Sequence, residues 1–129
     1  MSFNRRVVLI ADDMEEIRLM LKQAMLVNGY SVVEATNGLE AVEATRQRRP
    51  DLVLIDLNMP EMDGLKAIEE IRKIEGEQVP IVAMTAFDTY GMKEAAIQVG
   101  CNEYLNKPLN ITQLESLVRD YLTTSAGSI

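Results

Sequence analysis

Three short stretches, Val7–Ala11, Leu52–Ile55 and Ile81–Met84, are apolar at every position and rich in β-branched residues. A strand with one face in water alternates apolar and polar side chains, so uninterrupted runs of this length belong to strands covered on both faces. Two further strand-length segments, Ser31–Ala35 and Glu103–Asn106, are more polar and suit the edges of the same sheet. Helical patterns lie between them. Ile17, Met20, Leu21, Ala24 and Met25 recur at the spacing of one helix face, as do Met92, Ala95, Ala96 and Val99, and again Leu114, Leu117, Val118, Tyr121 and Leu122. Asn28–Gly29 closes the first helix, Asn37–Gly38 turns into the second, and Arg49–Pro50–Asp51 and Val79–Pro80 lead into strands. Such strict alternation implies an α/β fold: a five-stranded parallel sheet with right-handed crossovers and helices on both faces. Three apolar central strands and two polar edge strands fit the order 2-1-3-4-5, which opens a crevice at the carboxyl ends of the first and third strands.

With 129 residues the chain has the size of one domain and no room for a second, output-type domain. That domain is expected over 1–122, followed by a short polar tail, 123–129, read as frayed and as either a true terminus or the stub of a linker. Met1 reads as a natural start. No apolar run is long enough to span a bilayer and no signal peptide is visible, so a soluble, cytoplasmic protein without membrane insertion is expected. The lone Cys101, without a partner for an internal disulfide, agrees with a reducing compartment and reads as a small residue after Gly100. A net charge of −7 disfavours direct contact with nucleic acid, which needs a basic face. The chain contains no histidine, which excludes histidine-based acid–base catalysis, zinc–imidazole sites and an internal phosphohistidine. Any phosphoryl donor must come from outside.

The strand-length runs end on residues of complementary chemistry: Asp12–Asp13, Asp56, Thr85 and Lys107. In a parallel sheet these ends share one edge, where three carboxylates, a hydroxyl and an ammonium converge. An aspartate between a strand and a helix is also a good helix cap, but one would suffice. Adjacent carboxylates facing a third repel one another unless a cation neutralises them, and magnesium, with its hard oxygen ligands and exchangeable waters, is the best candidate. Lys107 supplies a mobile positive charge to an anionic oxygen and Thr85 a hydroxyl donor, parts that hold and polarise a transferring phosphoryl group. Asp56 is then the nucleophile, and a carboxylate attacking phosphorus gives a mixed anhydride.

Four segments, Ala11–Asp12–Asp13, Asp56–Leu57–Asn58–Met59–Pro60–Glu61–Met62–Asp63–Gly64, Met84–Thr85–Ala86 and Tyr104–Leu105–Asn106–Lys107–Pro108, occur in order, each at the end of an expected strand. In these segments the chain resembles the receiver domain of two-component response regulators, of the single-domain chemotaxis type, from Val7 to about Leu122. The resemblance implies the flavodoxin-like receiver fold, with Asp56 as phosphoacceptor. It implies that Asp13, Asp56 and the main-chain carbonyl of Asn58 bind magnesium directly and Asp12 through water. Thr85 and Lys107 would sense the phosphate, the Lys107–Pro108 bond would be cis, and Tyr104 would turn inward as Thr85 moves. Phosphorylation would then bias two packings of a face formed by the fourth helix, the fifth strand and the fifth helix, which signals to a downstream protein. Met14 and the first helix would meet the donor, a sensor histidine kinase or histidine phosphotransfer protein. The chain is expected to be a monomer or weak homodimer and no enzyme beyond its own phosphorylation and dephosphorylation.

Asn58 and Phe87 occupy positions that influence access of water to the acyl phosphate in this family, and a bulky Phe87 is expected to shield the anhydride. Phe87 and Tyr90 read either as a partner contact or as cover for the local core. Three other functions fit less well. A pseudo-receiver scaffold that needs no phosphate would not require Asp12, Asp13, Asp56, Thr85 and Lys107 together. A flavin carrier of similar architecture needs a hydroxyl- and glycine-rich phosphate loop where this chain has Asp12–Asp13–Met14–Glu15–Glu16. A phosphohydrolase on outside substrates lacks an identifiable general acid and substrate pocket.

Overall fold

A computed structural model describes residues 5–127, in which strands and helices alternate without exception. The elements are β1 (Val7–Ala11), α1 (Glu15–Val27), β2 (Ser31–Ala35), α2 (Gly38–Arg48), β3 (Leu52–Asp56), α3 (Gly64–Glu75), β4 (Ile81–Thr85), α4 (Met92–Val99), β5 (Glu103–Asn106) and α5 (Ile111–Gly127). All pairings are parallel and the order is β2-β1-β3-β4-β5, as the distribution of polar and apolar strands implies. Every residue of β3 and β4 is buried, whereas β2 and β5 are half-exposed edges.

The two-residue period of a strand sends neighbours to opposite faces and so builds two cores from the same strands. Leu9, Val53, Ile55, Ile81 and Ala83 pack with Ala41 of α2, Ala67, Ile68 and Ile71 of α3 and Ala96 of α4. Val8, Ile10, Leu52, Leu54, Val82 and Met84 face the other way, against Leu21 and Met25 of α1 and Leu114, Val118 and Leu122 of α5. Helices α2, α3 and α4 therefore cover one face, and α1 and α5 the other. α5 runs to Gly127, so the boundary expected after Leu122 falls within a helix. Ser128 and Ile129, the end of the expected tail, and Met1, the expected start, lie outside the described residues.

Local chemistry fixes where the helices begin. Asn37 caps α2 by accepting from the Glu40 N–H at 2.8 Å, while Glu40 accepts from the Thr36 N–H at 2.7 Å. Asp63 caps α3 by accepting from the Lys66 N–H at 2.9 Å. The next residue, Gly64, lies so close to the end of β3 that a β-carbon would sit 2.5 Å from both the Asp56 carbonyl oxygen and the Leu57 α-carbon. At the far end of α3, the Arg72 guanidinium donates to the carbonyls of Gly76, Val79 and Gly100 and to Asn102 Oδ1, at 2.7–2.9 Å. It thereby ties α3 to the start of β4 and to the turn between α4 and β5. Cys101, beside this clamp, is buried and unpaired, and burial pushes its thiol up from the ordinary range.

Candidate functional site

The sheet ladder continues past the strand ends and carries the polar residues with it. Asp12 N–H donates to Ala35 O at 3.1 Å, Leu57 N–H to Met84 O at 2.8 Å, and Lys107 N–H to Thr85 O at 2.8 Å. Asp12, Asp56, Thr85 and Lys107 are thus fixed by backbone bonds along one edge, and the Lys107–Pro108 peptide is cis. Carboxylate oxygens of Asp12, Asp13 and Asp56 lie within 4.8 Å of one another. Asp12 and Asp56 are buried while Asp13 is exposed, so the cluster opens to solvent on the Asp13 side.

Neither aspartate of the acidic pair caps α1: its cap position is Met14, which makes no side-chain cap bond. Asp12 instead folds Oδ1 back onto the Met14 N–H at 2.9 Å and presents Oδ2 to Lys107 Nζ at 2.7 Å. Lys107 also donates to Asp56 Oδ2 at 3.2 Å, and Asp56 Oδ1 accepts from the Asn58 N–H at 3.0 Å. Thr85, fully buried, places its hydroxyl 2.8 Å from Asn58 Oδ1 and 3.1 Å from the Phe87 carbonyl. One hydroxyl proton serves only one acceptor at a time, and the shorter contact is to Asn58.

Charge sets the chemistry of this group. Burial raises the Asp56 pKa above the ordinary carboxylate value and the Asp12 charge adds to it, outweighing the Asn58 N–H and Lys107. Burial also works against the Lys107 ammonium, but its bonds to Asp12 and Asp56 prevail and raise its pKa. With all groups ionised, three carboxylates and one ammonium leave two negative charges among oxygen-only donors. That balance and donor set fit a hard divalent cation of the magnesium class better than zinc or copper. The hollow of about 500 Å³ lined by Glu77, Pro80, Glu103, Leu117 and Tyr121 contains none of the cluster's residues.

Tyr104 is half-buried, with its hydroxyl bonded to Asp88 Oδ1 at 2.8 Å; burial and this bond push its pKa up to about 12. Phe87 and Tyr90 are 64% and 106% exposed, so neither covers the core, and Met14 is 53% exposed beside the acidic cluster. Two contributors escaped the sequence reading. Arg18 donates to the Asp12 carbonyl at 2.9 Å and to Glu34 at 3.0 Å, bracing the end of β1, but at helix spacing it resembles any solvated charge. Asp88 looks like an ordinary loop residue until Tyr104 is placed beside it.

Comparison with known proteins agrees with this geometry. Residues 8–119 match the family model described as the response regulator receiver domain. The chain is 42% identical over 102 residues to the chemotaxis protein CheY of Bacillus subtilis, covering 78% of this chain and 84% of the relative. It is similar to the receiver domain of a Pseudomonas aeruginosa sensor histidine kinase, solved with magnesium in its active-site cleft: TM-score 0.84 and 30% identity over 93% of this chain and 99% of that one. A Saccharomyces cerevisiae response regulator receiver domain, solved with a histidine phosphotransfer protein, has a TM-score of 0.86 and 29% identity over 98% of this chain and 94% of that one. With the model spanning nearly the whole described sheet and a relative at this identity, the chain belongs to the receiver domain family of two-component response regulators.

Proposed function

We propose that this protein is a phosphorylation-switched receiver that takes a phosphoryl group from a kinase or phosphotransfer-protein phosphohistidine onto Asp56. The observation that carries the reading is the placement of Asp56: a buried carboxylate facing Lys107 Nζ at 3.2 Å, inside the acidic cluster formed with Asp12 and Asp13. The relative solved with magnesium supports a cation there, and the relative solved with a phosphotransfer protein supports the donor class.

In the transfer, a carboxylate oxygen of Asp56 attacks phosphorus, the P–N bond to the donor imidazole breaks, and the electron pair leaves with that nitrogen. Asp12, Asp13, Asp56 and the Asn58 carbonyl would hold magnesium, which supplies positive charge to the phosphoryl oxygens. Lys107 directs its ammonium at a phosphoryl oxygen as the charge of Asp56 is spent on the new bond. The Thr85 hydroxyl leaves Asn58 and donates to another oxygen, and Tyr104 follows it inward. The altered α4–β5–α5 face engages a downstream protein. Phe87, with its backbone hydrogen-bonded to Thr85 at 3.0 Å, shields the anhydride from water.

Intact mass after incubation with magnesium and a small acyl-phosphate donor tests the reading. One added phosphoryl group, absent for Asp56→Asn and without magnesium, is expected; no gain in the parent would instead favour a phosphate-independent scaffold. Phosphoryl decay should be faster in Phe87→Ala than in the parent, and equal rates would remove the shielding role.

A further inference from the structure

The ring of Tyr104 packs on the core that contains Ala83, its cross-strand partner, and Ala96 of α4, two small side chains. Its hydroxyl points away from that core and donates to Asp88 Oδ1 at 2.8 Å. Asp88 belongs to the connection between Thr85 and α4, a segment that begins at the phosphate-sensing hydroxyl and ends at Gly91, which gives α4 no side-chain cap. An O–H donor facing an ionised acceptor makes a stronger bond than a neutral pair, and this one exists only while the ring points outward.

We infer that Asp88 is a positioning residue that holds Tyr104 in the resting arrangement and so sets how far the unphosphorylated protein is biased against signalling. This inference rests on the phosphorylation switch described above. A contact present in one of two states stabilises that state alone, and a ligand favouring the other state binds more weakly by the same factor. Asp88 is exposed, so its carboxylate regains water when Tyr104 leaves, and the bond acts as a bias that phosphorylation can overcome. Thr85 and Asp88 share one short connection, so drawing Thr85 toward a phosphoryl group strains the same segment that carries the Tyr104 acceptor.

Fluoroberyllate with magnesium, titrated into the parent, Asp88→Ala, Tyr104→Phe and the double variant, tests this. Asp88→Ala should bind the probe roughly three to ten times more tightly, the factor that loss of one exposed charge-assisted bond allows. In the Tyr104→Phe background, which has no hydroxyl to hold, Asp88→Ala should change affinity by less than about twofold. An equal gain in both backgrounds would show that Asp88 acts only by repelling the anion and would overturn the inference. Unchanged affinity in Asp88→Ala would also overturn it while leaving the phosphoacceptor reading intact. Failure of the parent to bind the probe would overturn that reading, and the inference with it.

Discussion

The role proposed for Asp56 sets two opposed demands, because a nucleophile toward phosphorus must be ionised while burial and the charge of Asp12 favour the neutral acid. A carboxyl whose pKa is raised by folding contributes stability that is complete below its unfolded value, about 4, and is lost as pH rises through the folded value. Asp56→Asn removes that loss and is expected to make the metal-free protein more stable than the parent at pH 7. Urea midpoints across pH would show the advantage shrinking toward acid; a variant less stable than the parent at pH 7 would contradict it. Phosphoryl uptake by the parent at fixed magnesium should fall on acidification, because the attacking oxygen becomes protonated. Lys107 has the reverse role. Lys107→Met leaves buried Asp12 and Asp56 without their shared cation and should cost roughly 3 kcal/mol without magnesium, part of it restored when magnesium is added. Equal urea midpoints for variant and parent would argue that the pair contributes little.

Among the elements, β3 and α3 matter most, because β3 ends on Asp56, the acceptor proposed above, and α3 begins against its carbonyl. Gly64 allows α3 to start against the Asp56 carbonyl, and the clash distance of 2.5 Å means that a methyl group must push the helix or the loop away. Gly64→Ala should cost about 2 kcal/mol in folding, as overpacking does, and slow phosphoryl uptake by more than about tenfold through misplacement of Asp56. Stopped uptake assays beside urea denaturation would separate the two losses, and parent-like values for both would refute the close-approach argument. The strands and their ends were legible in the sequence because uninterrupted apolar runs closing on Asp12, Asp56 and Thr85 have few other readings. The bracing was not. Arg72 stands in the last turn of a helix, where a basic residue needs no explanation, and its acceptors Gly76, Val79, Gly100 and Asn102 converge only once α3, β4 and β5 are neighbours. Asp88, and the bond that Asn58 Oδ1 accepts from Thr85, were hidden for the same reason, since each depends on a partner distant in sequence. The helical run of α5 to Gly127 escaped notice because small polar residues give no apolar period to follow.

At the scale of the whole molecule, the strand order places the acidic crevice and the α4–β5–α5 face on one sheet, with Thr85 at the end of β4 between them and Tyr104 on β5 within that face. Asp12, Asp13 and Asp56 bring carboxylate oxygens within 4.8 Å of one another against the single Lys107 ammonium, so cation binding should relieve a repulsion that only the folded state has. Millimolar magnesium is therefore expected to raise the thermal midpoint saturably, by several degrees at concentrations far above the dissociation constant, and to do so much less in Asp13→Asn. An equal rise in both would indicate only general screening. The central chemical event proposed for this protein is bond formation between phosphorus and a carboxylate oxygen of Asp56. Borohydride reduces an acyl phosphate on aspartate to homoserine, so peptide mass mapping of phosphorylated, borohydride-treated protein identifies the acceptor directly. Homoserine at position 56, and at neither Asp12 nor Asp13, is the expected result; homoserine at another aspartate, or none after a confirmed phosphoryl gain, would contradict it.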